Sequence, residues 1–222
     1  MNSLKEKYQI KSRNYYDEVR KDIIPLIPSN LNRVLEVGCG TGSTLYYLKS
    51  NGYCNWTCGV DLFQNAVDSA RDKLDEVHQA NIEERSLSIE PGSIDMILCL
   101  DVLEHLINPQ DTVAYLHTLL SPNGVIIASI PNVRHHSVLL PLLLLNRWEY
   151  KEQGVLDNTH LRFFVKSTAI ELMESSGLSL SKVLNRYGVR DTILNYVSFG
   201  LLRSFFSIQT LIKVNQNSSD AV

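Results

Sequence analysis

The sequence lacks a hydrophobic run long enough to cross a membrane. Its longest apolar run spans residues 138–145 and is interrupted by Pro141, far short of the ~20 residues that a membrane helix needs. The N-terminal residues, MNSLKEKYQIK, are charged and lack the apolar segment of a secretion signal. We therefore predict a soluble, cytoplasmic protein without a membrane span.

Excess charge of one sign and paired cysteines are also scarce. The formal net charge is only -3, with 44% hydrophobic and 20% charged residues, which is ordinary for a globular protein. This balance gives no basic surface typical of nucleic-acid binding. Without a secretion signal a disulfide framework is not expected. Cys54 and Cys58 have no second pair to complete a zinc site, so we expect buried thiols and no metal. From the charge balance we expect no nucleic-acid partner.

Strand-like and helix-like segments alternate from residue 30 onward, which predicts one α/β domain over residues 1–222. The expected strands are residues 33–37, 56–60, 78–82, 94–100, 125–130, 178–184 and 206–214. The expected helices are residues 8–27, within an N-terminal helical segment 1–30, then 43–50, 63–77, 109–120, 168–177 and 191–205. Residues 131–166 are rich in His, Arg, Trp and Tyr and break the alternation. We interpret this segment as an inserted lid or substrate-binding segment.

Two helix starts carry specific signals. Pro109 follows Asn108 and suits the first position of a helix. Thr168 and Glu171 have the spacing of a capping box, and Gly177 would close that helix. Apolar residues recur at helical spacing from Phe63 to Val77, which indicates an amphipathic helix.

The strongest local pattern is LEVGCGTGS, residues 35–43. Glycines in a turn between a strand and a helix let the backbone bend sharply and approach a ligand closely. The spacing is G-x-G-x-G, whereas a dinucleotide site reads G-x-G-x-x-G. Glu36 precedes the first glycine by two residues. A carboxylate there suits an ammonium group and would fit a pyrophosphate poorly.

Asp61 follows the second predicted strand, 19 residues after Gly42. An acidic residue at this place accepts hydrogen bonds from ribose hydroxyls. The alternative is that Asp61 caps the helix that begins near Phe63. Its distance from the glycine turn favours the ribose role.

These features resemble motif I of class I S-adenosylmethionine (SAM)-dependent methyltransferases, E/D-x-G-x-G-x-G, and the resemblance covers residues 31–130. It implies SAM as cofactor and a Rossmann-like, mostly parallel seven-stranded sheet in the order 3-2-1-4-5-7-6, with the last strand antiparallel and helices on both faces. The cofactor-binding residues expected from it are Glu36, Gly38, Cys39, Gly40, Thr41, Gly42, Asp61, Leu62, Asn81, Ile82, Leu100, Asp101 and Val102.

One of these positions departs from the family pattern. The family commonly has Asp after the third strand, where this chain has Asn81. The amide oxygen of Asn81 can still accept a bond from the adenine amino group, and a plain turn asparagine is the alternative. In CLDVLEHL, residues 99–106, the resemblance places His105 near the methyl group. The alternative for His105 is a buried structural histidine.

Two later stretches indicate a branch of the superfamily. Residues 129–144 and 147–164 resemble methyltransferases associated with bacterial polysaccharide synthesis and, more distantly, ubiquinone-biosynthesis O-methyltransferases. This resemblance implies methyl transfer from SAM to an oxygen, less favourably a nitrogen, of a small-molecule or saccharide acceptor.

Attack by a neutral hydroxyl requires a base, and histidine suits that task. The candidate catalytic residues are His105, His135, Asp157 and His160. Asp157 and His160 are three residues apart, so the carboxylate could orient the imidazole, or both could merely pin the segment to the sheet. Arg134 and Arg162 could hold an anionic group of the substrate or form salt bridges.

Other functions stay open at this point. A non-catalytic SAM-binding protein would share the cofactor motif. An NAD-dependent oxidoreductase is disfavoured by the glycine spacing and by Glu36. A nucleic-acid amino-methyltransferase is disfavoured because LDVL stands where N/D-P-P-Y/F would. The leucines of residues 138–145 indicate core or lid packing, or contact with a greasy acceptor. The aromatic residues of 187–206 are compatible with a homodimer face or with core.

Overall fold

The computed structural model describes residues 18–216. A seven-stranded sheet has the order β3-β2-β1-β4-β5-β7-β6, which confirms the predicted order. The strand β7 runs antiparallel to both of its neighbours, and the pairs among the first five strands are parallel. The strands are β1 Arg33–Val37, β2 Trp56–Asp61, β3 Glu76–Gln79, β4 Ile94–Leu100, β5 Leu120–Pro131, β6 Ser179–Tyr187 and β7 Ser207–Asn215.

Helices pack on both faces of this sheet, which confirms the predicted class. The helices are α1 Ser43–Ser50, α2 Gln64–Ala70, α3 Pro109–Leu119, α4 His136–Leu145, α5 Lys166–Glu174, α6 Val189–Val197 and α7 Arg203–Phe206, with 3₁₀ helices at Lys21–Leu26, Ile82–Glu84 and Leu103–His105. One face of the sheet packs with Val113 and Leu116 of α3 and with Leu172 of α5. The other packs with Leu45 and Leu48 of α1. Within residues 18–216 no helix has the length and apolar character to cross a membrane.

The predicted helix over residues 63–77 is too long. The structure has α2 only from Gln64 to Ala70, and Val77 lies in β3. Asp75 accepts hydrogen bonds from the backbone N–H of Thr57 at 2.8 Å and from its hydroxyl at 2.9 Å. These bonds fix the chain next to β2, so β3 begins at Glu76, earlier than predicted, and Ile82 lies in a 3₁₀ helix instead.

Two other helices differ from their predictions within the described residues. The described part of the first predicted helix is a 3₁₀ helix, Lys21–Leu26, with Pro25 inside it. Proline lacks a backbone N–H and disfavours a continuing α-helix. Residues 8–17 lie outside the described part of the chain. The helix α5 begins at Lys166, so Thr168 lies in its first turn rather than before it, and its hydroxyl accepts from the N–H of Val165 at 3.1 Å.

The last predicted helix, residues 191–205, is two helices. Phe199 and Gly200 both have positive φ, 50° and 73°, which ends α6 and separates it from α7 because right-handed helix cannot continue through left-handed backbone. Strands β5 and β6 extend beyond their predicted limits. Residues 131–166 contain the helix α4 and otherwise irregular chain, at the carboxyl end of β5.

Candidate active site

The glycine turn joins β1 to α1 at the carboxyl edge of the sheet. The N–H groups of Gly38 and Cys39 both donate to the carbonyl of Val60, at 2.7 and 3.1 Å. Gly38, Gly40 and Gly42 have φ of 68°, 53° and 75°, a region that favours glycine. The sequence motif therefore forms the sharp turn that it predicted, and it is held against the end of β2.

The closest approach in this turn involves Gly38. A Cβ atom added there would lie 2.6 Å from Cγ2 of Val102. We expect Gly38→Ala to destabilise the fold by more than the ~1–2 kcal/mol that left-handed backbone alone costs a residue with a Cβ. Urea unfolding of Gly38→Ala, Val102→Ala and the double variant would separate the two effects. The double variant should recover the stability that is lost through the overlap with Val102, but it should retain the loss due to backbone strain. Additive effects of the two changes would contradict the predicted clash.

Asp61 lies at the end of β2 and is 6% exposed. Its carboxylate accepts from the N–H of Gly40 at 2.9 Å and from the N–H of Phe63 at 3.0 Å. Burial raises the pKa of Asp61, and the N–H bonds oppose that rise. The N-cap position of α2 is Phe63, whose own side chain makes no capping bond. The bond from its N–H to Asp61 is the helix-start contact that was the alternative for Asp61, and the ribose contact stays a prediction. Asp61 thus ties the glycine turn to the chain after β2, and each oxygen retains a second lone pair for a ligand.

Glu36 is a buried carboxyl group below the turn. It is 4% exposed, and its Oε2 atom has no hydrogen-bond partner among the described residues. Burial raises its pKa from 4.5 to about 8, opposed by Arg20 and supported by Asp61. Buried polar atoms are rarely left unpaired in folded proteins. The orphaned oxygen next to a glycine turn fits a ligand that brings a cationic donor, as the ammonium group of SAM does.

Arg20 was missed by sequence reasoning. Its guanidinium group bonds to both carboxylate oxygens of Asp22 at 3.0 Å, to the hydroxyl of Ser129 at 2.9 Å and to Asp101. Burial opposes its charge, but the carboxylates of Asp101 and Asp22 outweigh burial and raise its pKa. Arg20 therefore remains charged and brings the N-terminal chain to the edge of β4.

Asp101, the partner of Arg20, has an unusual backbone conformation. Its φ is 59°, and its carboxylate also accepts from the amide of Gln209. Non-glycine residues with positive φ are uncommon and cluster at functional sites. Leu100 is buried and precedes it, and Val102 packs on the Gly38 turn. The structure thus brings residues 100–102 next to the glycine motif.

The remaining predicted cofactor residues lie around the ends of β2 and β3. Asn81 begins a 3₁₀ helix, and its side-chain oxygen accepts from the N–H of Glu83 at 3.1 Å. This is the turn role that was the alternative for Asn81, and the adenine contact stays a prediction. Ile82 is buried, whereas Leu62 is 39% exposed. Thr41 bonds through its hydroxyl to the hydroxyl of Ser43 at 2.9 Å.

A carboxyl group and two imidazoles meet after β4. Nδ1 of His105 lies 3.1 Å from the carbonyl of Thr159, and Nδ1 of His160 lies 3.0 Å from the carbonyl of Val155. A carbonyl can only accept, so both Nδ1 atoms carry a proton, and in the neutral form of each ring Nε2 is the basic nitrogen. The two ring centroids are 4.7 Å apart. This arrangement fixes the tautomer that a general base requires.

Glu104 lies behind these rings and was not predicted. It is 1% exposed, its Oε1 is 3.9 Å from Nε2 of His160, and neither carboxyl oxygen has a hydrogen-bond partner in the described residues. Burial, followed by the charge of Asp101, raises the pKa of Glu104 well above its usual range. Glu104 and His160 therefore form a buried pair beside His105.

His135 has a different setting from that of His105. It precedes α4, its Nδ1 lies 2.8 Å from the hydroxyl and 3.3 Å from the N–H of Ser137, and its Nε2 lies 3.4 Å from Asp191. Burial, followed by His136, lowers its pKa, and Asp191 opposes this. Both ring nitrogens thus bond within the protein, which favours a structural role in joining α4 to α6.

The other polar residues of the 131–166 segment mostly bind the backbone. Asp157 accepts from the N–H and hydroxyl of Thr159, at 2.9 and 2.6 Å. Arg162 donates to the carbonyl of Ile107 at 2.6 Å. Arg134 lines a cavity of about 340 Å³ together with Lys166. This cavity is a basic feature beside the carboxyl end of β5.

Three groups of the described residues bring possible metal ligands within 4.8 Å of one another. Their members are Cys58, Glu76 and His78; Glu104, His105 and His160; and His135, His136 and Asp191. In the second group the Nδ1 atoms of both histidines bond to carbonyls, whereas the carboxyl oxygens of Glu104 have no hydrogen-bond partner among the described residues. In the third group Nε2 of His136 lies 2.8 Å from Asp191. The expectation of no metal stays a prediction.

A sheet in this order, with a glycine turn and two buried carboxylates at the carboxyl ends of β1 and β2, defines a Rossmann-like methyltransferase. A family model described as "Methyltransferase domain" matches residues 8–183. The chain belongs to this family and is a SAM-dependent methyltransferase, as the sequence resemblance implied.

Proteins similar to this chain in sequence are methyltransferases as well. The chain is 27% identical over 186 residues to a ubiquinone biosynthesis O-methyltransferase of Albidiferax ferrireducens, covering 78% of this chain and 73% of the relative. It is 30% identical over 182 residues to the protein of that name from Dechloromonas aromatica, covering 74% and 76%. The resemblance to these O-methyltransferases is therefore confirmed.

Solved structures show the same fold. A SAM-dependent methyltransferase from Archaeoglobus fulgidus superposes with a TM-score of 0.68 at 19% identity, over 96% of this chain and 99% of that chain. A SAM-dependent methyltransferase from Thermotoga maritima, described as a possible histamine N-methyltransferase, has a TM-score of 0.64 at 17% identity, over 88% and 87%. At these identities the likeness concerns the fold alone.

Proposed function

We propose that the protein transfers the methyl group of SAM to a hydroxyl oxygen of a small-molecule or saccharide acceptor. The observation that carries this proposal is the fixed tautomer of His105, with Nδ1 3.1 Å from a carbonyl and Nε2 as the basic nitrogen. Alcohol and phenol oxygens lose a proton as they attack, so a positioned base favours oxygen as the acceptor. The O-methyltransferase relatives support the same choice.

The residues at the ends of β1 and β2 would hold the cofactor. SAM supplies an electrophilic methyl group when it is bound, so the protein's main task is to position the reactants. Glu36 would accept from the ammonium group through its unpaired Oε2. Asp61, fixed by the N–H groups of Gly40 and Phe63, would accept from the ribose hydroxyls.

The remaining predicted contacts complete this proposed site. Cys39, Thr41 and Gly42 would approach the cofactor through the turn backbone, and Leu100, Asp101 and Val102 would line its methionine side. Leu62, Asn81 and Ile82 would surround the adenine. Arg20, which is charged and bonded to Asp101, would stand near the cofactor's carboxylate.

The acceptor would enter from the side of residues 131–166. His105 would take the hydroxyl proton at Nε2. His160 and Glu104 would hold His105 in place and stabilise the charge that it gains, as neighbouring groups rather than as atoms that touch the acceptor. Asp157 would fix the backbone before His160 through Thr159. We propose no catalytic step for His135, because both of its nitrogens bond within the protein.

Ligand binding and turnover test separate parts of this proposal. SAM and S-adenosylhomocysteine should raise the melting temperature of the protein, and NAD should not. The release of S-adenosylhomocysteine should then be measured with panels of phenols, sugars, nucleotide sugars and matched amines, with and without EDTA. Turnover by hydroxyl acceptors but not by their amine counterparts is the expected result. Stabilisation by SAM without turnover of any acceptor would favour a non-catalytic binding protein.

A further inference from the structure

A large apolar surface is exposed on α4 and on the α6–α7 segment. On the second segment Val189 is 84%, Tyr196 84%, Phe199 93% and Leu201 86% exposed. Leu143, Leu144 and Leu145 at the end of α4 are 73%, 74% and 62% exposed. We call these two sets, with Ile193 and Val197, the apolar surface. Single exposed apolar residues are ordinary, but contiguous ones mark an interaction site.

The helix α6 presents its apolar side outward. Val189, Ile193, Tyr196 and Val197 recur at helical spacing and are all at least 61% exposed, whereas Asp191 is 8% exposed. Asp191 faces inward because it bonds to His136 at 2.8 Å and lies 3.4 Å from His135. The polar pairing therefore fixes the orientation of the helix. These exposures contradict the interpretation of α6 as core, whereas Phe206 at the end of α7 is buried.

The same histidines connect the two segments. His136 is in the first turn of α4, and its ring lies 5.8 Å from that of Phe205 and 5.9 Å from that of Phe206. Its bond to Asp191 joins α4 to α6. The first turn of α4 thus stands next to α6 and α7, at the carboxyl end of β5 and the amino end of β7, on the side of the sheet where we place the acceptor.

The charges around the apolar surface are mainly positive. Residues 134–151 and 188–206 carry five exposed cations, which are Arg134, Arg147, Lys151, Arg190 and Arg203. The acidic residues in these two ranges are Glu149, which is exposed and lies 3.8 Å from Arg147, and the buried Asp191, and the exposed Glu152 directly follows the first range. The whole chain, by contrast, has a net charge of -3. Cations that surround apolar side chains are typical of helices that lie in the interface of an anionic bilayer.

We propose that the apolar surface docks on the surface of a membrane that contains anionic lipids. Leucine and aromatic side chains would enter the boundary between headgroups and acyl chains, and the surrounding cations would contact lipid phosphates. A second copy of the chain fits less well, because a symmetric interface would bring each set of five cations against its own copy. The proposal concerns docking and is independent of the identity of the methyl acceptor.

Vesicle flotation of the full-length protein tests this proposal. The probes are vesicles of equal parts phosphatidylglycerol and phosphatidylcholine, and vesicles of phosphatidylcholine alone. We expect binding to the anionic vesicles to be at least about tenfold stronger, and to weaken at high salt because salt screens the cations. Equal binding to the two compositions, or no binding to either, would overturn the proposal.

Matched variants separate the apolar and the charged contributions. The double variants Ile193→Gln/Tyr196→Gln and Arg190→Gln/Arg203→Gln should each lower binding by about tenfold or more. The apolar control is Tyr46→Gln/Leu180→Gln, at residues 53% and 39% exposed elsewhere. The charge control is Arg71→Gln/Arg85→Gln, whose side chains are 66% and 51% exposed. Both controls should bind as the native protein does.

Two further measurements complete the test. The melting temperature of each variant should equal that of the native protein, because the exchanged side chains are exposed. Light scattering should give the mass of a monomer for native and variant proteins without lipid. A native dimer that Ile193→Gln/Tyr196→Gln dissociates would assign the surface to a second copy and overturn the lipid proposal.

Discussion

Replacing Glu36 with glutamine is expected to weaken SAM binding by about 10- to 100-fold, the range that corresponds to loss of a hydrogen bond to a charged group. The reason is that Oε2 of Glu36 is buried without a partner among the described residues. A cationic donor could therefore bond to Oε2 without displacing another hydrogen bond. Glutamine keeps the shape of the side chain and removes its charge. Isothermal titration calorimetry with native protein and Glu36→Gln measures the change.

The same substitution should affect the free protein in the opposite direction. The pKa of Glu36 is raised from 4.5 to about 8, chiefly by burial, so the folded protein holds a proton that the unfolded chain releases over this range. The contribution of Glu36 to the free energy of unfolding therefore falls as pH rises from about 4.5 to 8. Glutamine does not titrate, so its contribution to the free energy of unfolding does not change over this pH range. The melting temperature of Glu36→Gln should exceed that of the native protein by more at pH 8 than at pH 5.

Glu171→Gln, at an exposed position of α5, is the matched control for both measurements. It should leave the affinity for SAM and the pH dependence of melting unchanged. An unchanged SAM affinity in Glu36→Gln would remove Glu36 from the proposed site. A melting difference that is the same at both pH values would show that Glu36 does not retain a proton through this range.

Replacing His105 with glutamine is expected to lower kcat by about 10²- to 10⁴-fold, the usual contribution of a positioned general base. The expectation rests on the contact of its Nδ1 with the carbonyl of Thr159, which makes Nε2 the basic nitrogen. The affinity for SAM should change little, because His105 would contact the acceptor rather than the cofactor. Single-turnover rates and calorimetry separate these two quantities.

His117→Gln is a close control for this substitution. His117 also directs Nδ1 to a carbonyl, that of Ser176 at 3.0 Å, but it lies on α3. It should retain full activity. Glu104→Gln should change the pH–rate profile above the usual titration range of a carboxyl group, because the raised pKa of Glu104 delays its negative charge beside His160 and His105 to higher pH. Equal activity of His105→Gln and His117→Gln, with an unmoved profile in Glu104→Gln, would exclude this proposed base.

The backbone of the glycine turn could be predicted because its signals are local, and the cofactor contacts of its residues stay a prediction. The glycine turn occupies residues 38–42, and its positive φ angles follow from residue type within a few positions. Asp61 could be found from its distance along the chain to this turn. Glu104 adjoins His105 in the sequence, but only the fold shows that its carboxyl is buried beside His160. The dyad predicted for Asp157 and His160 assumed proximity from their spacing, whereas the structure adds Glu104 next to His160.

Hydrophobic period and backbone preference over short stretches were sufficient to predict the succession of strands and helices and the turn between β1 and α1. The family followed from the resemblance of the glycine motif and the later stretches to known methyltransferases. Three features could be seen only in the folded chain: Arg20 meets Asp101, 81 residues away, Asp191 joins His136, and α6 turns its apolar side outward. Each of these depends on which distant segments the sheet order brings together. An apolar stripe has the same spacing whether it faces a core or solvent, so the sequence pattern alone could not distinguish the two.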